Sequence, residues 1–295
     1  MASASANHGL KILIMTAALF FMSTVHGQER APDFADVAYA TAGEHALALD
    51  VYLPAAGASS PLVVWVHGGA WRVGSKARPP MSFVDSGFAL ASVDFRQSTD
   101  APFPAMIHDI KAAIRFLRAN ASRYGYDADR IAIAGASSGG HLAALVGVTN
   151  GHPDLEGTVG DHLDESSDVQ AIVVYFGASN LTTILQQSTP AGLRIREPAL
   201  SSLLGGLPDA VPELARLASP VFHVDAGDPP LHMLHGDQDP QMPINQSHEL
   251  HGAYKKLDLD VYFDVVHGAA HGGGAFYSDE HWGRTAEFLR RVLVP

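Results

Sequence analysis

The chain has 295 residues, with 31 acidic and 19 basic side chains, a formal charge of −12 and no cysteine. With no concentrated basic patch, nucleic acid is excluded as an expected partner; without cysteine, so are disulfides, thiolate metal sites and cysteine nucleophiles. A hydrophobic content of 47% provides for a large core, and the length fits one α/β domain.

The N-terminus reads as a targeting segment. Lys11 precedes an apolar run from Ile12 to Met22, and Ser23-Thr24-Val25-His26-Gly27 follows. The run is too short to span a bilayer. Residues 1–27 are therefore expected to be a signal peptide cleaved near Gly27. That leaves 28–295 as a single exported domain, periplasmic or extracellular, without stable membrane insertion.

Residues 35–40 and 46–53 read as two short strands, an antiparallel pair at a sheet edge. Leu62 to Val66 is wholly apolar, as buried central strands are, and runs into His67-Gly68-Gly69-Ala70-Trp71. A short helix near Phe83 and a strand from Phe88 to Val93 follow. From Met106 to Tyr124, apolar residues recur at spacings of three and four, which predicts one continuous helix. Tyr126 to Arg130 is expected to turn into the strand Ile131 to Ala134.

That strand ends in Gly135-Ala136-Ser137-Ser138-Gly139, and a helix-forming run begins at His141. An acidic irregular stretch, 151–168, precedes the strand Ala171 to Phe176. Residues 177–228 are too long for an ordinary connection. They are expected to form a cap-like insertion over the active site, with scattered short helices such as 213–217. A strand from Pro230 to Leu234 leads to His235-Gly236-Asp237-Gln238-Asp239. A helix at 246–256 and a strand from Asp260 to Val266 lead to His267 and His271. A last helix covers Asp279 to Val292. This alternation predicts an α/β fold, a mainly parallel sheet with helices on both faces. Sites in such folds lie beyond the carboxyl ends of the strands.

Glycine-x-serine-x-glycine at a strand-turn-helix junction suits a nucleophile, because the hydroxyl must stand exposed on a strained turn flanked by residues without bulk. A serine needs a base, and a carboxylate must hold that base in the correct tautomer. In chain order the sequence supplies Ser137, Asp239 and His271, each after its own strand. Asp237 is the rival acid, and Asp239 is preferred because it lies deeper in its loop. His267 is the rival base. His271 is preferred because it lies in a loop able to reach over the serine. The N–H groups of Ser138, Gly69 and Ala70 are the candidate oxyanion donors, with Gly68 setting the loop.

No cofactor or metal is expected. His232 and His235 would face opposite sides of a strand, and His248 and His251 would face solvent from a helix. Asp94, Arg96 and Asp109 read as ion pairs or caps that support the fold.

These segments, with Ala101-Pro-Phe-Pro-Ala105, Asp127-Ala-Asp-Arg-Ile131, Leu203-Leu-Gly-Gly206 and Ala218-Ser-Pro220, resemble α/β-hydrolases of the hormone-sensitive-lipase-like group. The chain is most similar to bacterial bifunctional feruloyl and acetyl-xylan esterases. The resemblance implies Ser137 as nucleophile, Asp239 as acid, His271 as base, and an oxyanion hole from the glycine loop and Ser138. Its substrate would be a small-molecule or polysaccharide-linked ester. Phe95 stands where that group often has tyrosine, and Ala70 where its lipase-like branch often has a third glycine; neither touches the triad. The alternatives on the same fold are an amide-bond hydrolase, like an arylformamidase or peptidase, and a non-catalytic binding protein.

Overall fold

The computed structural model describes residues 30–55 and 59–294; the expected signal peptide lies outside them. Among these residues the strands are β1 (Phe34–Ala42), β2 (His45–Tyr52), β3 (Ser60–Val66), β4 (Ala89–Val93), β5 (Tyr126–Ala136), β6 (Ala171–Tyr175), β7 (Leu231–Gly236) and β8 (Val261–Val266). The helices are α1 (Ser82–Asp85), α2 (Ala105–Ala119), α3 (Ala121–Tyr124), α4 (Ser138–Gly147), α5 (Pro153–Glu156), α6 (Ile184–Gln187), α7 (Pro190–Leu204), α8 (Pro212–Leu217), α9 (Asn245–Lys256) and α10 (Asp279–Leu293).

Every residue of β3 is buried, and its side chains alternate between two cores. Leu62, Val64 and Val66 face the core built with α2, α4, α7 and α9, while Val63 and Trp65 face the one built with α1 and α10. Both faces of the sheet are covered, which explains why the central strands read as unbroken apolar runs. The strand order is β1-β2-β4-β3-β5-β6-β7-β8. β2 runs against both its neighbours, and all pairings from β4 to β8 are parallel. The chain steps from β3 outward to β4, then returns across β3 to β5. The reversal opens a crevice between the carboxyl ends of β3 and β5, where open α/β sheets bind ligands.

Three local expectations are corrected. The predicted helix 106–124 breaks at Asn120, whose side chain turns back to donate to Phe116 O at 2.9 Å. The short α3 then ends on Gly125 in a left-handed conformation. Residues 126–130 belong to β5 instead of forming a free turn. Pairing with β3 jumps from Pro61–Asp127 to Leu62–Ile131, so residues 128–130 bulge out. Finally, 177–228 holds a fifteen-residue helix, α7, beside its short ones. Thr189 caps it by accepting from Gly192 N at 3.0 Å.

A buried ionic cluster ties α2 to the 151–168 stretch. Lys111, fully buried, donates to the Glu156 carboxylate. Arg115 Nη1 lies 3.2 Å from Glu156 Oε2, and Ser167 Oγ donates to the same carboxylate at 2.9 Å. Burial pushes the Glu156 carboxyl up, but the Lys111 hydrogen bond and charge, with Ser167 and the Gly151 N–H, overrule it and hold it below its ordinary value. A carboxyl depressed in the folded state contributes stability above its unfolded pKa and loses it as pH falls through the folded pKa. Glu156→Gln should therefore lower stability at pH 7 by about 3 kcal/mol, since it strands buried cations. Urea midpoints measured from pH 7 downward should show the gap to wild type closing below about pH 4.

Candidate active site

Ser137 joins β5 to α4 with φ 56° and ψ −121°, a conformation that L side chains disfavour. Its N–H donates to Tyr175 O at 2.9 Å, and its carbonyl accepts from His141 N at 3.0 Å. The flanking glycines serve close approach. A Cβ on Gly135 would lie 2.2 Å from Gly139 O, and one on Gly139 would lie 2.2 Å from Val66 O. The first turn of α4 thus rests directly on the end of β3.

His271 Nε2 lies 2.9 Å from Ser137 Oγ, and its Nδ1 lies 2.6 Å from Asp239 Oδ2. A carboxylate oxygen can only accept, so Nδ1 carries the proton and Nε2 is left to accept from the serine hydroxyl. The Asp239 side chain is fully buried. Burial raises its carboxyl, but hydrogen bonds from His235 and His271 and the Met242 N–H hold it well below the usual carboxylate range. Oδ1 accepts from Gln241 N and Met242 N, each at 2.8 Å. The arrangement can take a proton from a serine hydroxyl and stabilise the resulting imidazolium.

The rival residues pair with each other. Asp237 Oδ2 lies 2.9 Å from His267 Nδ1, and Oδ1 accepts from Gly268 N at 2.7 Å. His267 is 85% exposed, and the pair fastens the turn after β8. The remaining polar residues singled out from sequence sit elsewhere. Arg96 forms a two-pronged contact with the buried Asp109, at 2.9 and 2.7 Å. His232 pairs with Asp264 at 3.1 Å. His248 is exposed as expected, whereas His251 is half-buried, and both rings lean on Phe263.

The loop after β3 lies across the crevice. A Cβ on Gly68 would meet Ala136 O at 2.8 Å, so that position presses on the serine turn. Gly69 has φ +131°, and a Cβ there would strike Val73 O. Ala70 continues at φ 55°. Among the described residues, the N–H groups of Gly69, Ala70 and Ser138 donate to no acceptor. Ser138 also opens α4, whose N-terminal end favours negative charge.

Two neighbours were not legible as site residues. His235, considered only as a metal ligand, is buried with Nε2 3.4 Å from Asp239 Oδ2 and 3.0 Å from Met242 O. Its Nδ1 lies 2.8 Å from Ser247 Oγ, so it braces the acid loop against α9. The available signal was its place four residues before the acid. Phe176, at φ 41°, sets its ring edge-on to His271 with centroids 4.8 Å apart. Nothing marked it beyond its position after β6.

The segment between β6 and β7 touches the acid loop. Thr189 Oγ1 donates to Pro240 O at 3.0 Å, and Arg196 Nη1 lies 3.4 Å from Met242 Sδ. Burial lowers the Arg196 guanidinium to about 10, against the attraction of Asp239. Among the described residues no three His, Asp or Glu side chains gather as a metal-holding group, and no helix is long and apolar enough to cross a membrane.

The model of the BD-FAE family matches residues 49–254. Esterase LipC of Mycobacterium tuberculosis is 30% identical over 254 residues, 79% of this chain and 62% of LipC. Esterase LipQ of the same organism is 33% identical over 229 residues, 75% of this chain and 52% of LipQ. The chain thus spans between half and two thirds of these relatives' lengths. Among solved structures, a truncated carbohydrate esterase from gut microbiota superposes with a TM-score of 0.80 at 32% identity, covering 88% of this chain and 95% of that one.

The two Asp–His pairs can be separated by a serine-directed phosphonate, with the labelled Ser137 peptide followed by mass. Asp239→Asn should slow labelling about 10³- to 10⁴-fold, because the amide favours the wrong imidazole tautomer. Asp237→Asn should stay within about threefold of wild type, as expected for an exposed surface pair.

Proposed function

The chain belongs to the BD-FAE family, and from that premise we propose that it is an exported serine carboxylesterase acting on short acyl and aromatic esters. The observation that carries the reading is the line from Ser137 through His271 to Asp239, with links of 2.9 and 2.6 Å, beside N–H groups without acceptors. Esterase names among the relatives support the bond class. The carbohydrate esterase superposition and the feruloyl and acetyl-xylan resemblance favour esters borne on plant polysaccharides. Export rests on Lys11 and the apolar run that follows it.

In this reading Ser137 Oγ attacks the ester carbonyl while His271 Nε2 takes its proton. The carbonyl oxygen becomes an oxyanion, held by the N–H groups of Ser138 and of Gly69 or Ala70. The tetrahedral species collapses, the C–O bond to the alcohol breaks, and His271 returns the proton to the departing oxygen. Water then attacks the acyl-serine, His271 takes a proton from it, and the carboxylic acid leaves as Ser137 regains its hydrogen. Asp239 remains ionised throughout and steadies the imidazolium. Loss of one oxyanion donor costs about 3–4 kcal/mol of barrier in such sites.

The test is hydrolysis by residues 28–295 of p-nitrophenyl acetate, its longer acyl homologues, methyl ferulate and an acyl anilide. Wild type should turn over acetate and ferulate, and Ser137→Ala should lose at least about 10⁴-fold in kcat. Anilide turnover without ester turnover would replace this reading by an amide hydrolase, and inertness toward all of them by a binding role.

A further inference from the structure

The two halves of the proposed oxyanion site come from different elements. Ser138 belongs to the first turn of α4, whereas Gly69 and Ala70 belong to the loop after β3. Two donors stabilise one oxygen only if both lie near 3 Å from where its charge develops. Their spacing therefore needs a fastener, and the loop itself is a poor one. Ala70 and Trp71 take φ of 55° and 60° in succession. Neither is glycine, so the conformation persists only where its surroundings impose it.

We propose that Trp71 and His141 are positioning residues that hold the two halves of the oxyanion site at their working distance. The proposal rests on the esterase reading given above. Trp71 follows Ala70 directly, and its indole N–H donates to His141 Nδ1 at 3.0 Å. The rings meet edge-on, with centroids 5.3 Å apart and planes at 87°. His141 stands one helical turn beyond the nucleophile, and its own N–H donates to Ser137 O at 3.0 Å. One short bridge thus joins the residue after Ala70 to the turn that carries Ser137 and Ser138. A second bond anchors the bridge from behind: His141 Nε2 lies 2.6 Å from Ala218 O. The Trp71 carbonyl is pinned as well, accepting from Ser98 N at 2.7 Å.

The chemistry of the three groups leaves one protonation state. An indole only donates, so Nδ1 accepts. A carbonyl only accepts, so Nε2 carries the hydrogen and donates to Ala218. His141 is fully buried and Trp71 nearly so. Burial lowers the His141 imidazole to about 4, despite the Ala218 carbonyl, so the bridge stays neutral at working pH. Neither side chain hydrogen-bonds to Ser137 Oγ, Asp239 or His271 among the described residues. The pair acts on the loop alone and transfers no proton.

The test uses three variants. Trp71→Phe keeps a ring and removes the N–H. His141→Asn can place its amide oxygen near Nδ1 and keep the acceptor for Trp71. His141→Gln can place its amide nitrogen near Nε2 and keep the donor to Ala218, but loses that acceptor. Rates for p-nitrophenyl acetate are divided by the number of serines titrated with a phosphonate, so that only folded sites count. Affinity for a trifluoromethyl ketone, which forms a tetrahedral oxyanion on the serine, is measured beside them.

Trp71→Phe and His141→Gln should lose about 10- to 100-fold in kcat with KM within about threefold, because the oxyanion forms only after binding. Ketone affinity should fall in step, His141→Asn should recover most of both, and the pH profile should not move. Equal kcat and ketone affinity in wild type and Trp71→Phe, or losses that follow melting temperature with no advantage of Asn over Gln, would overturn the proposal and leave the esterase reading intact. If Trp71→Phe fails to fold, the contrast between the two His141 variants decides alone. A wild type that is neither titrated nor active on any ester would overturn both readings together.

Discussion

The contact between the first turn of α4 and the end of β3 is the constraint on which the rest of the site depends. Helix and strand backbones touch there because Gly135 and Gly139 present no Cβ, and Val66 O and His67 O occupy the space that a side chain on Gly139 would need. That approach forces the sharp turn at Ser137 and puts its backbone in the left-handed region. It also brings the loop after β3 alongside the serine, since both emerge from the same crevice where the strand order reverses. A bulkier residue at either glycine would separate nucleophile turn and loop at once. Given that strand order, the turn and the placing of the loop follow from one packing distance.

Around that contact, histidines divide by what holds their ring nitrogens and by how deeply they are buried. His141 is bonded on both sides by groups of fixed polarity, an indole N–H and a carbonyl, so it holds one neutral tautomer and serves as a strut; His235 is a second strut, held between Ser247 Oγ and Met242 O. His271 has a carboxylate on one side and only a hydroxyl on the other. Its proton has somewhere to go. Burial sharpens the contrast, because the two struts are fully buried while the His271 side chain keeps 14% of its surface open. Of the three rings, that of His271 is the one that is partly open and reaches Ser137 Oγ.

How much of this was legible follows from the range of the interactions involved. Ser137, Asp239 and His271 each sit in a short polar cluster just after an apolar run, so local pattern and chain order sufficed to single them out. The choice between Asp237 and Asp239 turned on loop depth, and the structure pairs Asp237 with His267 on the exposed side of the same loops. Strand positions were legible because central strands are buried on both faces. α7 was not, since Gly192 and Pro198 interrupt the helical pattern, which tertiary contacts of Arg196 with Met242 and of Leu203 O with Phe103 N override. The bridge from Trp71 to His141 spans 70 residues, and that from His141 to Ala218 spans 77. No local pattern reports such a contact, although both ring residues stood inside the motifs.

The same bridges tie the segment between β6 and β7 to the reacting groups at both ends. Ala218 holds the far side of His141, while Thr189 and Arg196 lie against the loop that carries Asp239. Asn180 and Thr183 bond the Glu249 carboxylate on α9, and Gln187 does the same. α9 in turn supplies Ser247 to His235, which braces the acid. A change in this segment therefore reaches Ser137 and its partners by two routes, through the Trp71–His141 bridge and through the loop of Asp239. Sequence drift there is expected to alter rate, because its contacts run through the groups that hold Ser137 and Asp239 in place.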